Sequence, residues 1–353
     1  MWRRNGPATI VVLMAFSVWK TTVAWTSARF RSSLSNELAK RYVSSSSRLR
    51  EGSNIEDMTG WTVDRAGRES LKTLSEQGVC EPEQAVRHLL AASLGLSWES
   101  GYREVLGRSG KERLTQDQAE DFAEKLQRRL SFEPIQYILG HWDFLDYKKL
   151  VMRAPVLIPR PETEELVMMI VEDTTESPIH ILDVGCGTGV IGLSLAEMIP
   201  DASVEAIDCD PLAIDVSIEN SKRVLEPSET SCYKAKVCNA QDYVPDYRFD
   251  IVVSNPPYIP RDDMTTLQED VRNFESWGAL CGGEDGLDVV RVIVKQLHSW
   301  CNSGAVCWME VDPTHPLKIK EWIQGNPGLN VKFEASYKDL FGLERFVKLR
   351  VLQ

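Results

Sequence analysis

The run Ile179-His180-Ile181-Leu182-Asp183-Val184 is short and apolar, and it passes directly into Gly185-Cys186-Gly187-Thr188-Gly189-Val190-Ile191-Gly192. A helical pattern occupies 193–198, and a second apolar run over 204–207 ends at Asp208. Few architectures accept this order. Glycines permit a tight strand-to-helix turn and let a ligand reach the backbone at a helix N-terminus. Strands and helices continue to alternate beyond residue 208, as a doubly wound α/β sheet requires. Asp208 stands where a strand-end carboxylate can accept hydrogen bonds from ribose hydroxyls.

A further apolar run, Phe249-Asp250-Ile251-Val252-Val253-Ser254, reads as a buried parallel strand and leads into Asn255-Pro256-Pro257-Tyr258. Ligands in open α/β sheets sit beyond the carboxyl ends of such strands, so the tetrapeptide falls where chemistry is expected. Two successive prolines fix φ twice and remove two backbone donors, which stiffens the turn and leaves carbonyls unpaired. Asn255 adds an amide oxygen, and Tyr258 a flat face for stacking. Such acceptors beside an aromatic suit a planar NH2 group, either a carboxamide or an exocyclic amine. The competing reading is a proline-rich surface turn.

Gly187, Gly189 and Gly192 also satisfy G-x-G-x-x-G, with Asp208 near the offset of an NAD ribose acid. The glycines alone do not separate the two cofactors. Together with N-P-P-Y at a later strand end, and with no hydride-transfer constellation beside them, the set resembles class I methyltransferases that use S-adenosylmethionine. That resemblance implies a Rossmann-like seven-stranded sheet, with cofactor contacts at Asp183, Gly185, Gly187, Gly189, Asp208 and Asn255.

The net charge of −12 is unevenly spread. Residues 1–50 hold nine Lys or Arg against one acid, Glu37, a net of +8, so the remainder carries −20. An acidic body repels phosphate backbones at long range, and direct nucleic-acid binding is not expected. The eight cysteines form no C-x-x-C pair and read as reduced thiols, not as a disulfide frame or zinc site. No metal is expected, and Cys186 reads as packing. The first fifty residues read as an address: Arg3 and Arg4 precede an apolar stretch over 10–19, too short to span a bilayer, and an Arg/Ser-rich tract ends near Arg50. Import into the mitochondrial matrix or plastid stroma is the expectation, with no membrane association of the mature form. A disordered cytosolic tail competes.

At 353 residues there is room for about two domains. The expected division is a presequence over 1–50, a small helical domain over 51–133, a β-hairpin linker over 134–158 and a catalytic domain over 159–353. Amphipathic patterns over 83–92 and from Thr115 (as N-cap) to Leu130 supply helices. The hairpin is expected to pair 137–144 with 150–152. His88 is expected to pack or face solvent. Pro161 suits a first helical turn, with acids after it; Glu162 and Glu164 read equally as helix-start acids and as cofactor-pocket residues. Residues 260–288 read as a long irregular lid.

Five segments then carry a narrower resemblance: Pro134-Ile135-Gln136-Tyr137-Ile138-Leu139-Gly140, Leu157-Ile158-Pro159-Arg160-Pro161-Glu162-Thr163-Glu164, Asp183-Val184-Gly185-Cys186-Gly187-Thr188-Gly189, Ser254-Asn255-Pro256-Pro257-Tyr258-Ile259-Pro260, and Ala279-Leu280-Cys281-Gly282-Gly283-Glu284-Asp285-Gly286-Leu287-Asp288. In this order, over roughly 80–353, they resemble the HemK/PrmC family of N5-glutamine methyltransferases. The resemblance implies a class I peptide release factor as partner and its Gly-Gly-Gln glutamine as acceptor, gripped with help from the helical domain. Glu310-Val311-Asp312-Pro313-Thr314-His315-Pro316 looks like the organellar eukaryotic branch. Asn239-Ala240-Gln241-Asp242 stands where a Gly-Asp is usual, which leaves Asn239 and Asp242 as candidates for the adenine side. The expected chemistry uses Asn255 and the Pro256 carbonyl as acceptors for the substrate NH2, with Tyr258 stacking on the amide, Asn255, Pro256, Pro257 and Tyr258 together binding the substrate, and no general base. An N6-adenine nucleic-acid methyltransferase shares N-P-P-Y, and a non-enzymatic factor on this scaffold is the third reading.

Overall fold

The chain is seen in a computed structural model that describes residues 57–96, 111–175, 177, 179–226 and 232–353; the leader read over 1–50 lies outside them. Helix α1 (Val63–Gln77) begins where the Thr62 hydroxyl accepts from Arg65 N at 3.2 Å, and it stops at Gly78 in the left-handed region. Helix α2 (Pro82–Ser93) starts on a proline, whose missing donor a first turn does not need. Helix α3 (Gln116–Leu130) opens with a capping box between Thr115 and Gln118. Leu74, Leu89, Phe122 and Leu126 are buried where these helices meet. His88 is buried too, 4.9 Å from the Trp142 ring, and burial holds its pKa near 4, so it stays neutral.

The hairpin expectation needs a correction. Tyr137 and Ile138 donate to Pro134 O, forming the short helix α4 (Ile135–Leu139) that Gly140 terminates. Pro134 and Gly140 act as helix punctuation, and the apolar run between them is a buried turn of helix. Only then do β1 (His141–Phe144) and β2 (Tyr147–Val151) pair antiparallel.

Helix α5 (Pro161–Asp173) starts on Pro161 as anticipated. The seven-stranded sheet is built from β3 (Ile179–Val184), β4 (Ala202–Asp208), β5 (Tyr233–Val237), β6 (Phe249–Ser254), β7 (Cys301–Glu310), β8 (Val331–Lys338) and β9 (Glu344–Val351), in the order β5-β4-β3-β6-β7-β9-β8. Only β9 runs against its neighbours. Alternate side chains go to opposite faces: Ile181, Ile251 and Val253 join the core under α5, α6 (Val190–Met198) and α7 (Pro211–Val224). Leu182, Val184 and Val252 join the core under α10 (Asp288–Trp300) and α11 (His315–Gly325).

Strand order runs outward from β3 to β5, then returns to place β6 beside β3. The crevice between the carboxyl ends of β3 and β6 is therefore a topological switch point, where the crossovers leave a gap for ligand. The residues over 260–288 are not an irregular lid. They form a 3-10 turn (Arg261–Thr266) and the short helices α8 (Glu269–Phe274) and α9 (Trp277–Leu280). Ile259 donates to Leu280 O, and Gly282 donates back to Ile259 O. A Cβ on Gly282 would sit 2.6 Å from Pro257 O, and one on Gly286 2.3 Å from Tyr258 O. The glycine cluster thus braces the back of the diproline corner. Among the described residues no helix is long and apolar enough to cross a membrane, and no cluster of His, Cys, Asp and Glu could hold a metal ion.

Candidate active site

Both motifs singled out by sequence lie at the switch point. The glycine turn leaves β3 and the diproline corner leaves β6, and Ser254 Oγ donates to Val184 O at 2.6 Å across the pair. The turn divides into outward and inward parts. Gly185 (φ +71) and Gly187 (φ +55) have open space where a Cβ would be, so they form the cradle that a ligand can approach. Gly189 is buried, and a Cβ there would lie 2.6 Å from Ser217 Oγ; its glycine serves packing against α7.

Asp183, expected as a cofactor contact, is fully buried. Its Oδ2 accepts from Gly192 N at 2.9 Å, so it fastens the turn to the start of α6 from behind. Its Oδ1 has no partner, and burial pushes its pKa up to about 7. Asp208 is only partly buried; its Oδ2 accepts from Gly187 N and its Oδ1 from Asp210 N, both at 2.9 Å. Burial raises its pKa, against the downward pull of those N–H groups. A carboxylate oxygen has lone pairs beyond one bond, which leaves Asp208 able to take ribose hydroxyls. An open glycine cradle beside a strand-end acid fits S-adenosylmethionine. Asn239 and Asp242 are exposed in the turn after β5, where Asn239 Oδ1 accepts from Gln241 N. Cys186 is buried, and burial drives its thiol pKa well up, as packing requires.

On the other side of the corner lies a cavity of about 340 Å³ lined by Arg160, Asn255, Pro256 and Tyr258, with Leu267 and Val271 among its apolar walls. No residue of the glycine turn lines it; Asn255-Pro256 lines the cavity and follows Ser254, whose bond to Val184 O sets the start of the corner beside the start of the glycine turn. Asn255 Nδ2 donates to Thr163 Oγ1 at 3.3 Å, and Thr163 Oγ1 donates to Glu310 Oε2 at 2.8 Å. Tyr258 donates its hydroxyl to Glu310 Oε1 at 3.4 Å, and burial raises the Tyr258 pKa, keeping it a donor. Arg160 holds Glu275 through two contacts of 2.7 and 2.8 Å, tying the approach to α5 to the helical segment beside the cavity. Glu164 faces away, accepting from Leu145 N at 2.9 Å, which favours the helix-start reading for it.

Sequence reasoning did not assign Thr163, Glu310 or Asn220 to the site. Glu310 ends β7 at the ligand side of the sheet, a position that was available as a signal. Asn220 lies on α7 with no local signature, yet its fully buried amide binds Val151 N and O and Thr188 O.

Residues 66–140 match the family model described as PrmC N-terminal domain, and 163–272 match the methyltransferase small domain. The chain is 34% identical over 286 residues to the MTRF1L release factor glutamine methyltransferase of Homo sapiens, covering 78% of this chain and 83% of that protein. It is 32% identical over 267 residues to the release factor glutamine methyltransferase of Koribacter versatilis, covering 74% and 91%. A solved protein-(glutamine-N5) methyltransferase (release factor-specific) from Alicyclobacillus acidocaldarius aligns with 23% identity and a TM-score of 0.34, over 56% of this chain and 95% of that one. With identity above 30% sustained over more than two thirds of both proteins, the chain belongs to the release factor glutamine methyltransferase family.

Proposed function

We propose that this protein transfers a methyl group from S-adenosylmethionine to the side-chain amide nitrogen of the Gly-Gly-Gln glutamine of a class I peptide release factor. The observation that carries this reading is the pair of adjoining sites at the switch point, an open glycine cradle on one side and the Asn255-Pro256-lined cavity on the other. S-adenosylmethionine, when bound, supplies an electrophilic methyl carbon on a positively charged sulfur. Gly185 and Gly187 give it access to the backbone, and Asp208 accepts from its ribose. Asn239 and Asp242 are the proposed residues on the adenine side.

A carboxamide nitrogen is a weak nucleophile, because its lone pair is delocalised into the carbonyl. Asn255 Oδ1 and the Pro256 carbonyl each accept one hydrogen of the substrate NH2, which fixes the nitrogen in line and favours the positive charge growing on it. Pro257 keeps that corner stiff. Tyr258 covers the amide plane. No side chain needs to remove a proton before attack, since the proton leaves afterwards. Support for an organellar release factor, in the mitochondrial matrix or plastid stroma, comes from the Arg/Ser-rich, acid-poor first fifty residues. The division into a gripping helical domain (51–133), a linker (134–158) and a catalytic domain (159–353) belongs to the same reading.

The test offers purified protein three acceptors in parallel: a class I release factor, the same factor with its Gly-Gly-Gln glutamine replaced by alanine, and duplex DNA. Methyl transfer to the first alone, located by mass spectrometry on that glutamine, is the expected result. Transfer to adenine, or to both forms of the factor, would overturn it.

A further inference from the structure

We infer that Thr163 and Glu310 are positioning residues that fix which end of the Asn255 amide faces the substrate. This rests on the methyl-transfer reading of the same site. An asparagine amide has an acceptor end and a donor end of nearly equal shape, so packing alone does not distinguish them. Only the acceptor end serves an NH2 substrate; the flipped amide would set donor against donor. A directional hydrogen-bond relay makes the distinction here. Ionised Glu310 can only accept, so both hydroxyls that reach it donate, Thr163 at 2.8 Å and Tyr258 at 3.4 Å. With its proton committed there, Thr163 presents a lone pair to Asn255, and Nδ2 takes it at 3.3 Å. Oδ1 is left for the substrate. Glu310 is 1% exposed and Thr163 2%, so solvent does not stand in for either.

The relay joins three separate pieces of chain: the end of β7, the first turn of α5 and the corner after β6. Its direction depends on Glu310 lacking a proton. A protonated Glu310 can donate to Thr163, which frees Thr163 to donate to Asn255 and removes the preference for Nδ2. The charged and titratable groups around Glu310 are Arg345 from β9, Arg160 and Glu162 at the entry to α5, and Tyr258. Burial is the largest influence on it and raises its pKa to about 7, within reach of a pH titration.

The test compares Thr163→Val, which removes the hydroxyl at nearly constant shape, with Thr163→Ser, which keeps it. Thr163→Val is expected to lower kcat about ten- to a hundredfold, the scale of a misoriented reacting group, with cofactor affinity and the KM for release factor unchanged. Thr163→Ser is expected to stay close to wild type. The wild-type kcat should fall on the acid side of about pH 7, and Glu310→Gln should lose that limb. Independently of turnover, NMR should show slowed hydrogen exchange for one Asn255 side-chain amide proton in wild type and its loss in Thr163→Val. A folded Thr163→Val enzyme with normal kcat, or a Thr163→Ser enzyme as impaired as Thr163→Val, overturns the inference. Absent glutamine methylation by the wild type would instead refute the function itself, and the NMR comparison would still decide the relay.

Discussion

Replacing Asn220 by alanine should loosen the linker and the glycine turn together. In the β1–β2 ladder, Met152 N donates to Gly140 O, which makes His141 and Val151 a non-hydrogen-bonded pair and turns the Val151 N–H and C=O away from β1. Asn220 meets both groups. Its Oδ1 accepts from Val151 N at 2.7 Å, and its Nδ2 donates to Val151 O at 3.3 Å and to Thr188 O at 3.0 Å. One fully buried amide thus substitutes for a missing strand and fastens the hairpin to the turn between Gly187 and Gly189. Alanine leaves three buried backbone groups without partners. Each costs about 1–3 kcal/mol when unsatisfied, and partial access of water to the vacated space lowers the total, so about 2–4 kcal/mol is expected. Urea denaturation should record that loss as a lower midpoint at unchanged slope. Calorimetry should record weaker S-adenosylmethionine binding, since Thr188 loses an anchor. Asn220→Asp supplies a control: it keeps an acceptor for Val151 N but sets a second oxygen against two carbonyls. Those contacts raise the new carboxyl's pKa, so the added destabilisation should be absent in acid and grow as pH rises through that pKa. A stability change below about 0.5 kcal/mol for Asn220→Ala, with normal cofactor affinity, would refute the keystone role.

Asn255→Ala should lower kcat about a hundred- to a thousandfold, equivalent to roughly 2.7–4 kcal/mol for one preorganised contact, with cofactor affinity nearly intact; normal turnover would remove Asn255 from the mechanism. Asp208→Ala should act in the opposite sense, weakening S-adenosylmethionine about tenfold or more because a charged acceptor is lost, while saturated turnover changes little. Unchanged affinity by calorimetry would count against the ribose assignment. Asp183 has its pKa raised to about 7 by burial, so its contribution to stability is present below the ordinary carboxylate range and lost as pH rises through about 7. An Asp183→Asn variant can still accept from Gly192 N. Its stability relative to wild type should improve between about pH 5 and about pH 8, by at most about 1.4 kcal/mol per pH unit. Parallel denaturation curves at the two ends of that window check the sign.

The turn-bearing elements were legible because their signals are local. Gly185, Gly187 and the two prolines announce backbone shapes that neighbouring residues cannot alter, and Thr115 with Gln118 announces a helix start. Reading failed where an apolar run carried no period of its own. Tyr137-Ile138-Leu139 reads as strand by its apolar run, and the bonds from Tyr137 N and Ile138 N to Pro134 O make it a turn of helix. The stretch over 260–288 reads as irregular because its helical pieces, Arg261–Thr266, Glu269–Phe274 and Trp277–Leu280, are six residues or fewer, too short to show a period.

The sequence by itself determined an alternating α/β sheet, a glycine turn and a stiff acceptor corner at strand ends, since these follow from φ restrictions and from hydrophobic runs a few residues long. Tertiary structure alone decided what each glycine and carboxylate does. Asp183 and Asp208 are both strand-end acids in the chain, yet one is fully buried behind the turn and the other is open to a ligand. Thr163, Asn255 and Glu310 lie far apart in the chain and meet because α5, β6 and β7 converge at one end of the sheet. Hydrogen-bond direction depends on which atoms are brought within about 3 Å and shut away from water, and no local pattern encodes that.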